Sequence, residues 1–243
     1  MRTPRFYTNQ ALHKDQRVCL EQTPSHHLIR VLRSKPGSEV LLFNGNGHEY
    51  HAVYEGHENK LAYAKIQSEL EPQRESPLNI HVGQGISRGE RMDLVMQKSV
   101  ELGAHVITPL WTQRSQVRLD GKRLAKRLSH WQGIMVSACE QSGRVMMPSL
   151  SHTNQLEEWL DTRTEEETCL VLDPKAEQVL TDIRPKQRIR VLIGPEGGLE
   201  DSEIEKASAA GFSRIKLGPR VLRTETAAIA VLAAIQALWG DLS

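Results

Sequence analysis

The chain has 243 residues, of which 39% are hydrophobic and 25% charged, and its formal net charge is +1. This composition is typical of a globular protein and excludes a disordered or collagen-like chain. The near-neutral charge gives by itself no reason to propose a nucleic-acid partner. No apolar run reaches the roughly 20 residues that cross a bilayer, and the amino terminus lacks a signal-peptide pattern, so we expect a cytosolic protein with no membrane partner.

The cysteines and histidines do not form a metal-binding pattern. Cys19, Cys139 and Cys169 lie far apart without a CxxC pair, which disfavours both disulfides and a cysteine zinc site. We expect reduced, buried thiols. His48 and His51 stand three residues apart in a strand-like segment, which places them on opposite faces. We therefore expect no metal.

The first seventy residues favour β-structure. The stretch SHHLIRVLR indicates a short helix, and residues 39–70 are typical of three strands, with turns predicted at 44–47 and 56–59. A small barrel would close such strands without leaving exposed edges. A polar stretch with two prolines follows, and because the length exceeds the roughly 100–200 residues of one domain, we predict domains of residues 1–72 and 73–243.

Basic residues are unevenly distributed along the chain. Six basic residues and one acid lie between Arg114 and Arg127, whereas residues 157–167 hold six acids. A second basic set, Arg2, Arg5, Arg30, Arg33 and Lys35, lies near the amino terminus. Such segregation can create a local basic face that attracts phosphates, and scattered solvated charge is the alternative.

Beyond residue 73 the pattern changes to strands that alternate with helices. NIHVGQGI, VITPLW, LVLD, VLIG and IKLG are short apolar segments typical of buried strands. ERMDLVMQKSVELG and residues 121–141 have helical spacing. This alternation predicts an α/β domain with a mostly parallel sheet.

Two related glycine-proline loops follow short strands near the carboxyl end, IGPEGG at 193–198 and LGPRVLR at 217–223. Ser202 with Glu205 has the spacing of a capping box after the first loop, and Thr224 can cap the last helix. A third strand ends at Asp173. Ligands of open α/β sheets bind beyond the carboxyl ends of the strands, so the three ends predict one pocket, where glycine lets backbone approach the ligand.

The charges of this pocket bear on its ligand. Glu196, Glu200 and Asp201 disfavour a diphosphate at the start of the helix, and neither a dinucleotide fingerprint nor a phosphate-loop lysine is present. A phosphate-free ligand with polar heterocycle edges fits better. S-adenosylmethionine, a sulfonium cation, is one such ligand, although these residues alone do not select it.

Several motifs in order resemble one family. They are GQGISRGERMDLVMQKSVELGAHVITPLW, ACEQSGR, RVLIGPEGGLEDSEI and LGPRVLRTETAAIAVLAAIQ, with MR-x-PR-x-Y and HHLIRVLR at the amino terminus. The whole chain thereby resembles the RsmE family, bacterial 16S ribosomal RNA uridine-N3 methyltransferases of the SPOUT class. The resemblance implies a SPOUT-type trefoil-knotted α/β domain with a mostly parallel sheet, preceded by a small PUA-like β-barrel domain. It also implies a homodimer that binds S-adenosylmethionine and acts on 16S rRNA, as part of the assembled small ribosomal subunit.

The resemblance assigns the cofactor to the three loops. The implied binding residues are Leu170, Leu172, Asp173, Pro174, Ile193, Gly194, Pro195, Glu196, Gly197, Gly198, Leu217, Gly218, Val221, Leu222, Arg223 and Thr224. Family members often carry histidine where this chain has Asp173, which leaves the role of that side chain open. The last helix is apolar nearly all round, as a buried or interfacial helix is.

Transfer of a methyl group to uracil N3 requires loss of the N3 proton and support for charge on O2 and O4, and an unpaired target base. We expect Arg223 to support the charge and Glu225, or a water that it holds, to take the proton. The alternatives are a structural ion pair or phosphate clamp for Arg223 and a first-turn, dipole-stabilising glutamate for Glu225. The RNA-contact candidates are Arg2, Arg5, Arg30, Arg33, Arg88, Arg91, Lys98 and Arg144, with Gln97 and Gln141 in support.

Two other functions are compatible with the pattern. One is a SPOUT enzyme that methylates a ribose 2′-hydroxyl, and the other is a non-catalytic ribosome-assembly factor. Analysis of the modified nucleoside separates the first from base methylation, and an absence of any modification would indicate the second.

Overall fold

The computed structural model describes residues 3–115 and 120–242. Its compact units are residues up to Glu75 together with Cys139–Met147, and Ser76–Ala138 together with the residues from Pro148 onward. Residues 139–147 thus group with the first unit, although they lie within the predicted second domain. The division into domains of residues 1–72 and 73–243 stays a prediction.

The first unit contains a five-stranded mixed sheet. Its strands are β1 (Arg5–Tyr7), β2 (Arg17–Cys19), β3 (Glu39–Phe43), β4 (Glu49–Glu58) and β5 (Leu61–Leu70), in the order β1-β3-β4-β5-β2. β1 and β3 are parallel and the other pairs antiparallel. Helix α1 (Gln22–His26) continues into a π-helical turn at His27–Val31, in agreement with the predicted short helix.

Alternating side chains of this sheet form the first core. Val40 and Leu42 of β3, Tyr50 and Tyr54 of β4, and Ile66 of β5 all belong to one buried cluster, as the period-two spacing of a half-buried strand requires. The predicted turn at 56–59 is displaced. Asn59 and Lys60 form the turn, both with positive φ as in a type I′ hairpin, and the register shift at Gly56 makes that glycine part of a bulge within β4.

The second unit contains a parallel sheet of seven strands. Its strands are β6 (Asn79–Gly85), β7 (Ala104–Trp111), β8 (Ser149–Leu150), β9 (Asn154–Gln155), β10 (Glu167–Leu172), β11 (Arg188–Ile193) and β12 (Ser213–Ile215). The order is β12-β10-β11-β6-β7-β8, and β9 also pairs with β7. Every pair is parallel, which confirms the predicted α/β class.

Helices connect these strands. They are α2 (Glu90–Glu101), α3 (Gly121–Ser142), α4 (Leu156–Asp161), α5 (Asp201–Ala209) and α6 (Thr224–Trp239), with a 3₁₀ turn at Leu180–Asp182. The central strand β11 is buried from Ile189 to Ile193, because strands of a parallel sheet with helices on both faces meet solvent on neither. The trefoil knot stays a prediction. No described helix is long and apolar enough to cross a membrane.

His81 of β6 gives the second unit a predicted sensitivity to acid. Its Nε2 lies 2.8 Å from Thr108 Oγ1 and accepts a hydrogen bond from Trp159 Nε1 at 3.2 Å. Burial, followed by the nearby Arg190 guanidinium, lowers the pKa of His81 to about 3. An unfolded histidine titrates near pH ~6.5, so below that pH the unfolded state binds more protons than the folded state.

Stability is therefore retained above pH ~6.5 and lost as the pH falls toward ~3, by up to about 1.4 kcal/mol per pH unit. We expect His81→Gln to flatten the pH dependence of the free energy of unfolding between pH ~4 and ~6.5, even if its stability at neutral pH is lower. Urea denaturation at several pH values measures this slope. Equal slopes for the variant and the parent chain would contradict the assignment.

Candidate functional site

The carboxyl ends of three neighbouring parallel strands meet at one edge of the second sheet. β12, β10 and β11 are adjacent in that order, so the segments after Leu172, Ile193 and Ile215 leave the sheet side by side. They enclose a cleft of about 370 Å³, within the size range of small-ligand sites. The predicted convergence of three strand ends is thus present in the structure.

Most residues of the predicted cofactor set line this cleft. They are Leu172, Asp173, Pro174, Ile193, Gly194, Pro195, Glu196, Gly197, Gly198, Leu217, Gly218, Val221, Leu222 and Thr224. Leu170 does not line it, because its side chain is fully buried inside β10. Arg223 and Glu225 flank the lining residue Thr224 but are not themselves part of the wall.

Several lining residues are absent from the predicted list of cofactor residues. Arg114, Lys175, Leu199, Asp201, Ile204, Ile215, Lys216, Arg220 and Ala227 also face the cleft. Arg220 stands inside the second glycine-proline loop, so its position was a usable signal. Arg114 follows β7, and nothing in the sequence indicates that it reaches the loop after β11.

The glycines of the GPEGG loop allow close backbone contacts. Gly198 has φ +73° and donates its N–H to the Pro195 carbonyl at 2.9 Å, which closes a tight turn. A Cβ on Gly194 would lie 2.9 Å from the backbone nitrogen of Leu199. At the end of β6, a Cβ on Gly85 would lie 2.5 Å from Pro195 Cδ. Glycine is therefore required for packing on both sides of the loop.

The side chain of Arg114, which follows β7, holds the GPEGG loop in place through hydrogen bonds. Its guanidinium donates to both carboxylate oxygens of Glu200, at 2.7 and 2.9 Å, and to the Gly197 carbonyl at 3.0 Å. Glu200 is the N-cap of α5, and its own N–H donates to Glu203 Oε2 at 2.8 Å. The predicted capping pair of Ser202 and Glu205 is therefore wrong by two residues, because α5 begins at Asp201.

Glu196 presents a carboxylate to the cleft with one oxygen still available. Oε1 accepts hydrogen bonds from the Arg88 N–H at 2.7 Å and from Arg91 Nη1 at 3.1 Å. Burial raises the pKa of Glu196, but these hydrogen bonds and the Arg91 charge outweigh it and hold the pKa below its ordinary value. Oε2 is buried and has no hydrogen-bond partner among the described residues, so an ionised carboxylate with one unpaired oxygen belongs to the wall of the cleft.

Asp173 has a structural partner. Its Oδ2 accepts from Arg214 Nε at 2.8 Å and Nη2 at 2.6 Å, and its Oδ1 accepts from the Lys175 N–H at 2.9 Å. The carboxylate thereby links the end of β10 to its neighbour β12 and shapes the turn that begins the first loop. These contacts account for an acid at this position without assigning it a ligand.

The buried amide of Gln84 connects β6 to the loop after β11 and to the start of α6. Gln84 is fully buried, and its Nε2 donates to Thr224 Oγ1 at 2.9 Å and to the Gly194 carbonyl at 3.3 Å. Thr224 Oγ1 in turn donates to the Gly194 carbonyl at 2.7 Å. Thr224 is thus the first residue of α6 rather than its cap, which is Arg223. The network holds the start of α6 against the GPEGG loop.

The two predicted catalytic residues differ in exposure. Arg223 is exposed, and no hydrogen bond or ion pair of its guanidinium occurs within the described ranges. Glu225 is 9% exposed, and its Oε2 is buried without a hydrogen-bond partner among the residues the structure describes. Neither side chain has the structural ion pair that was the alternative for Arg223.

Two RNA-contact candidates are structural residues, which corrects their assignment. The Arg5 side chain is 2% exposed, lies 2.7 Å from Glu49 and donates to the carbonyls of Cys139 and Arg144. The Arg144 side chain is 5% exposed and pairs with Glu75 at 2.7 Å. Both guanidinium groups are buried and already donate to acceptors within the first unit. Neither group is therefore available to an RNA phosphate.

The other RNA-contact candidates lie at or near the surface. Arg30, Arg33 and Arg88 are exposed, and Arg91 is half-exposed beside Glu196. Lys98 pairs with Glu101 on the same helix at 2.7 Å. Gln97 is half-buried on α2 and Gln141 is exposed. Arg2 lies outside the described residues.

Two further observations limit the site chemistry. Acids crowd the first turn of α5, where Glu200, Asp201 and Glu203 would repel a phosphate. Within residues 3–115 and 120–242, no group of three or more histidine, cysteine or acidic side chains could hold a metal ion. Cys139 and Cys169 are buried free thiols as predicted, and burial raises the pKa of Cys139 to about 11, whereas Cys19 is only half-buried.

Comparison with known proteins agrees with this geometry. A family described as "RNA methyltransferase domain" matches residues 74–236, and "RNA methyltransferase PUA domain" matches 24–67. The ribosomal RNA small subunit methyltransferase E of Buchnera aphidicola subsp. Schizaphis graminum is 36% identical, with 100% of this chain and 99% of that protein covered.

Two solved structures are similar over 100% of both chains at 43% identity. They are a ribosomal RNA small subunit methyltransferase E from Neisseria gonorrhoeae bound to S-adenosyl methionine, with a TM-score of 0.94, and a putative methyltransferase from Legionella pneumophila in complex with the same cofactor, with a TM-score of 0.95. Together with the family matches, these structures confirm the predicted fold class, an α/β SPOUT-type fold with a PUA-like part near the amino terminus. The chain belongs to the RsmE family, the ribosomal RNA small subunit methyltransferases E.

Proposed function

We propose that this chain transfers a methyl group from S-adenosylmethionine to N3 of a uridine in 16S rRNA, with the assembled small ribosomal subunit as substrate. The observation that supports it most is the cleft at the ends of β10, β11 and β12. It lies within the matched RNA methyltransferase domain, and the 43% identical relatives bind S-adenosylmethionine.

The residues of the cleft fit this methyl donor. Backbone groups of the three loops can read the adenine and ribose edges, while Leu172, Ile215 and Leu222 supply apolar walls. The ionised carboxylate of Glu196, which lines the cleft, suits a cationic ligand. The acidic start of α5 disfavours a phosphorylated one. When bound, S-adenosylmethionine supplies an electrophilic methyl group on its sulfonium.

The chain's own residues would prepare the uracil. Arg223 lies between the lining residues Leu222 and Thr224, and its exposed guanidinium can donate to O2 or O4 as charge develops there. Glu225 Oε2 is an acceptor without a partner among the described residues, consistent with a role in taking the N3 proton directly or through water.

Exposed arginines supply an RNA surface on each unit. Arg88 and Arg91 stand beside Glu196, and Arg220 lines the cleft itself. We assign these to the RNA around the target base, and Arg30 and Arg33 of the first unit to phosphates that set the register. In this proposal residues 1–72 form the RNA-positioning domain and residues 73–243 the methyltransferase domain.

We also propose a homodimer in the cytoplasm, where ribosomal RNA is modified. Helix α6 buries one face and leaves a second apolar face partly exposed, formed by Ala227, Ala230, Ala233, Ala234, Ala237 and Leu238. A continuous apolar face on a helix that is already packed on its other side favours association with a second copy. Light scattering is expected to give twice 27.4 kDa, and a monomer mass would reject the dimer.

Methyl transfer to ribosomal particles tests the function. The chain is incubated with tritium-labelled S-adenosylmethionine and small subunits from a strain that lacks the enzyme, and the RNA is digested to nucleosides. We expect label in 3-methyluridine, with more transfer to assembled subunits than to free 16S rRNA. Label in a 2′-O-methylated nucleoside would indicate the ribose enzyme instead, and no transfer would indicate an assembly factor.

Gly85→Ala tests the position of the donor in the cleft. Its new Cβ would meet Pro195 Cδ at 2.5 Å and Pro195 N at 2.6 Å, so the GPEGG loop must move. Overpacking of this kind costs about 1–3 kcal/mol, and we expect affinity for S-adenosylmethionine to fall about tenfold by titration calorimetry. Gly133→Ala on α3 is the control, because nothing lies within 4 Å of its Cβ position. Equal affinity in both variants would contradict the assignment.

A further inference from the structure

A second concavity lies in the first unit. It has a volume of about 400 Å³ and is lined by Gln22, His26, Ile29, Arg30, His57, Asn59, Lys60 and Leu61. One side is the helical segment that follows β2, and the other is the tip of the β4–β5 hairpin. This concavity is separate from the cleft at the strand ends, because none of its residues belongs to the second unit.

The lining combines cationic side chains with amides. Arg30 and Lys60 contribute the basic side chains, and none of the eight lining residues, all within the described part of the chain, is acidic. Gln22 and Asn59 add amide donors and acceptors, and Ile29 and Leu61 add apolar surface. A concave basic surface without acids favours an anionic ligand.

Most polar side chains of this concavity have no internal hydrogen-bond partner among the described residues. Among the described residues, the side chains of Gln22, His26, Arg30, Asn59 and Lys60 make no hydrogen bond or ion pair, whereas His57 Nδ1 lies 2.9 Å from the Tyr54 hydroxyl. Arg17, another exposed arginine of the same unit, is by contrast paired with Glu55 and Glu58. Five polar side chains without an internal partner thus line one concavity.

The hairpin tip is held in the geometry that forms this wall. Asn59 and Lys60 both have positive φ, 48° and 68°, as the two central residues of a type I′ turn do. This conformation is costly for lysine, since residues other than glycine, asparagine and aspartate rarely adopt it. A glycine would relieve that cost, and the turn as it stands holds the Lys60 side chain in the wall of the concavity.

We propose that this concavity, the barrel pocket, binds one unstacked nucleotide of single-stranded RNA. Lys60 and Arg30 would contact phosphate, the amides of Gln22 and Asn59 would meet the base edge, and Ile29 and Leu61 would cover its face. The volume exceeds what a lone phosphate needs, and only an unpaired base can enter such a pocket. The inference rests on the proposed action on rRNA and adds a binding site outside the methyl-transfer cleft.

Binding of fluorescein-labelled oligouridylate, followed by anisotropy at several salt concentrations, tests the barrel pocket. For Arg30→Gln combined with Lys60→Gln we expect about tenfold weaker binding, and a salt slope lower by about 1.4, or ~0.7 for each single-strand phosphate that the variant no longer neutralises. Lys14→Gln, which changes an exposed lysine of the same unit, is the control and should match the parent chain. Affinity for S-adenosylmethionine should stay unchanged in both of these variants.

A further variant separates a nucleotide site from a merely basic patch. Gln22→Ala removes no charge, so we expect about fivefold weaker binding of oligouridylate with an unchanged salt slope. With the parent chain, uridine 5′-monophosphate should compete with the labelled RNA better than inorganic phosphate, but far less well than unlabelled oligouridylate. A free nucleotide that competes as strongly as the oligonucleotide would indicate a mononucleotide site and overturn the proposal.

Three other results would also overturn it. They are equal binding by the double variant and Lys14→Gln, no effect of Gln22→Ala, and competition by polyglutamate as strong as that by RNA, which would indicate an acidic protein partner. If the parent chain does not bind oligouridylate, the barrel pocket is rejected, while methyl transfer to small subunits still decides the proposed function independently.

Discussion

Arg223→Ala is expected to lower kcat for methyl transfer about 100-fold. Removing a donor that stabilises developing negative charge costs about 10²–10³ in rate, and the charge on uracil O2 and O4 develops only as N3 loses its proton. Because this contact is made mainly in the transition state, the affinities for S-adenosylmethionine and for small subunits should change less than about threefold.

Single-turnover methylation of small subunits, with donor and enzyme both saturating, measures this effect. Arg184→Ala is the matched control, since Arg184 is also an exposed arginine of the second unit. It lies just before the amino end of β11, whereas the cleft lies at the carboxyl ends of the strands. Arg223→Lys should recover part of the rate, because lysine keeps the charge but not the planar donor pair. A full rate for Arg223→Ala would remove this residue from the mechanism.

Arg5→Ala is expected to destabilise the first unit by about 3–5 kcal/mol, the cost of breaking a buried ion pair. Glu49 is 2% exposed and, among the residues that the structure describes, would retain only Arg74, whose Nη1 lies 3.2 Å from Oε2. The carbonyls of Cys139 and Arg144 would also lose a donor at 2.7 and 3.1 Å. Each buried group left without a partner adds a desolvation cost.

Hydrogen exchange of the β3, β4 and β5 amides measures this loss within the first unit. The control is Arg17→Ala, whose side chain is 52% exposed and pairs with Glu55 at 2.9 Å, so a loss below about 1 kcal/mol is expected. If Arg5→Ala cost no more than Arg17→Ala, the buried pair would not be a principal support of this unit. The same comparison decides whether an RNA-binding defect of Arg5→Ala arises from contact or from unfolding.

The main features of the fold and cleft could be predicted because they follow from local patterns. Alternation indicated the strands of the first sheet, and apolar segments followed by glycine-proline loops indicated the strand ends of the second. Parallel strands place their carboxyl ends at one edge, so the loops after Leu172 and Ile193 were expected to meet. The positions of helix starts were less accurate, since Glu200–Glu203 and Ser202–Glu205 both have the spacing of a cap.

Contacts between distant segments could not be read from the sequence. Arg5 binds residues 139–144 across more than 130 positions, and without that contact a basic residue near the terminus resembles an RNA ligand. Arg214 reaches Asp173 across 41 positions because β10 and β12 are neighbours. Charge patterning records how many arginines are present but not which are already paired, and pairing decides which of them RNA can reach.

A crystal structure of the chain grown with S-adenosylmethionine tests the central claim most directly. The account predicts density for the donor in the cleft after β10, β11 and β12, with contacts to the backbone of residues 172–174, 194–198 and 217–222. Density for the donor elsewhere on the chain, or an empty cleft at donor concentrations that support methyl transfer, would contradict it.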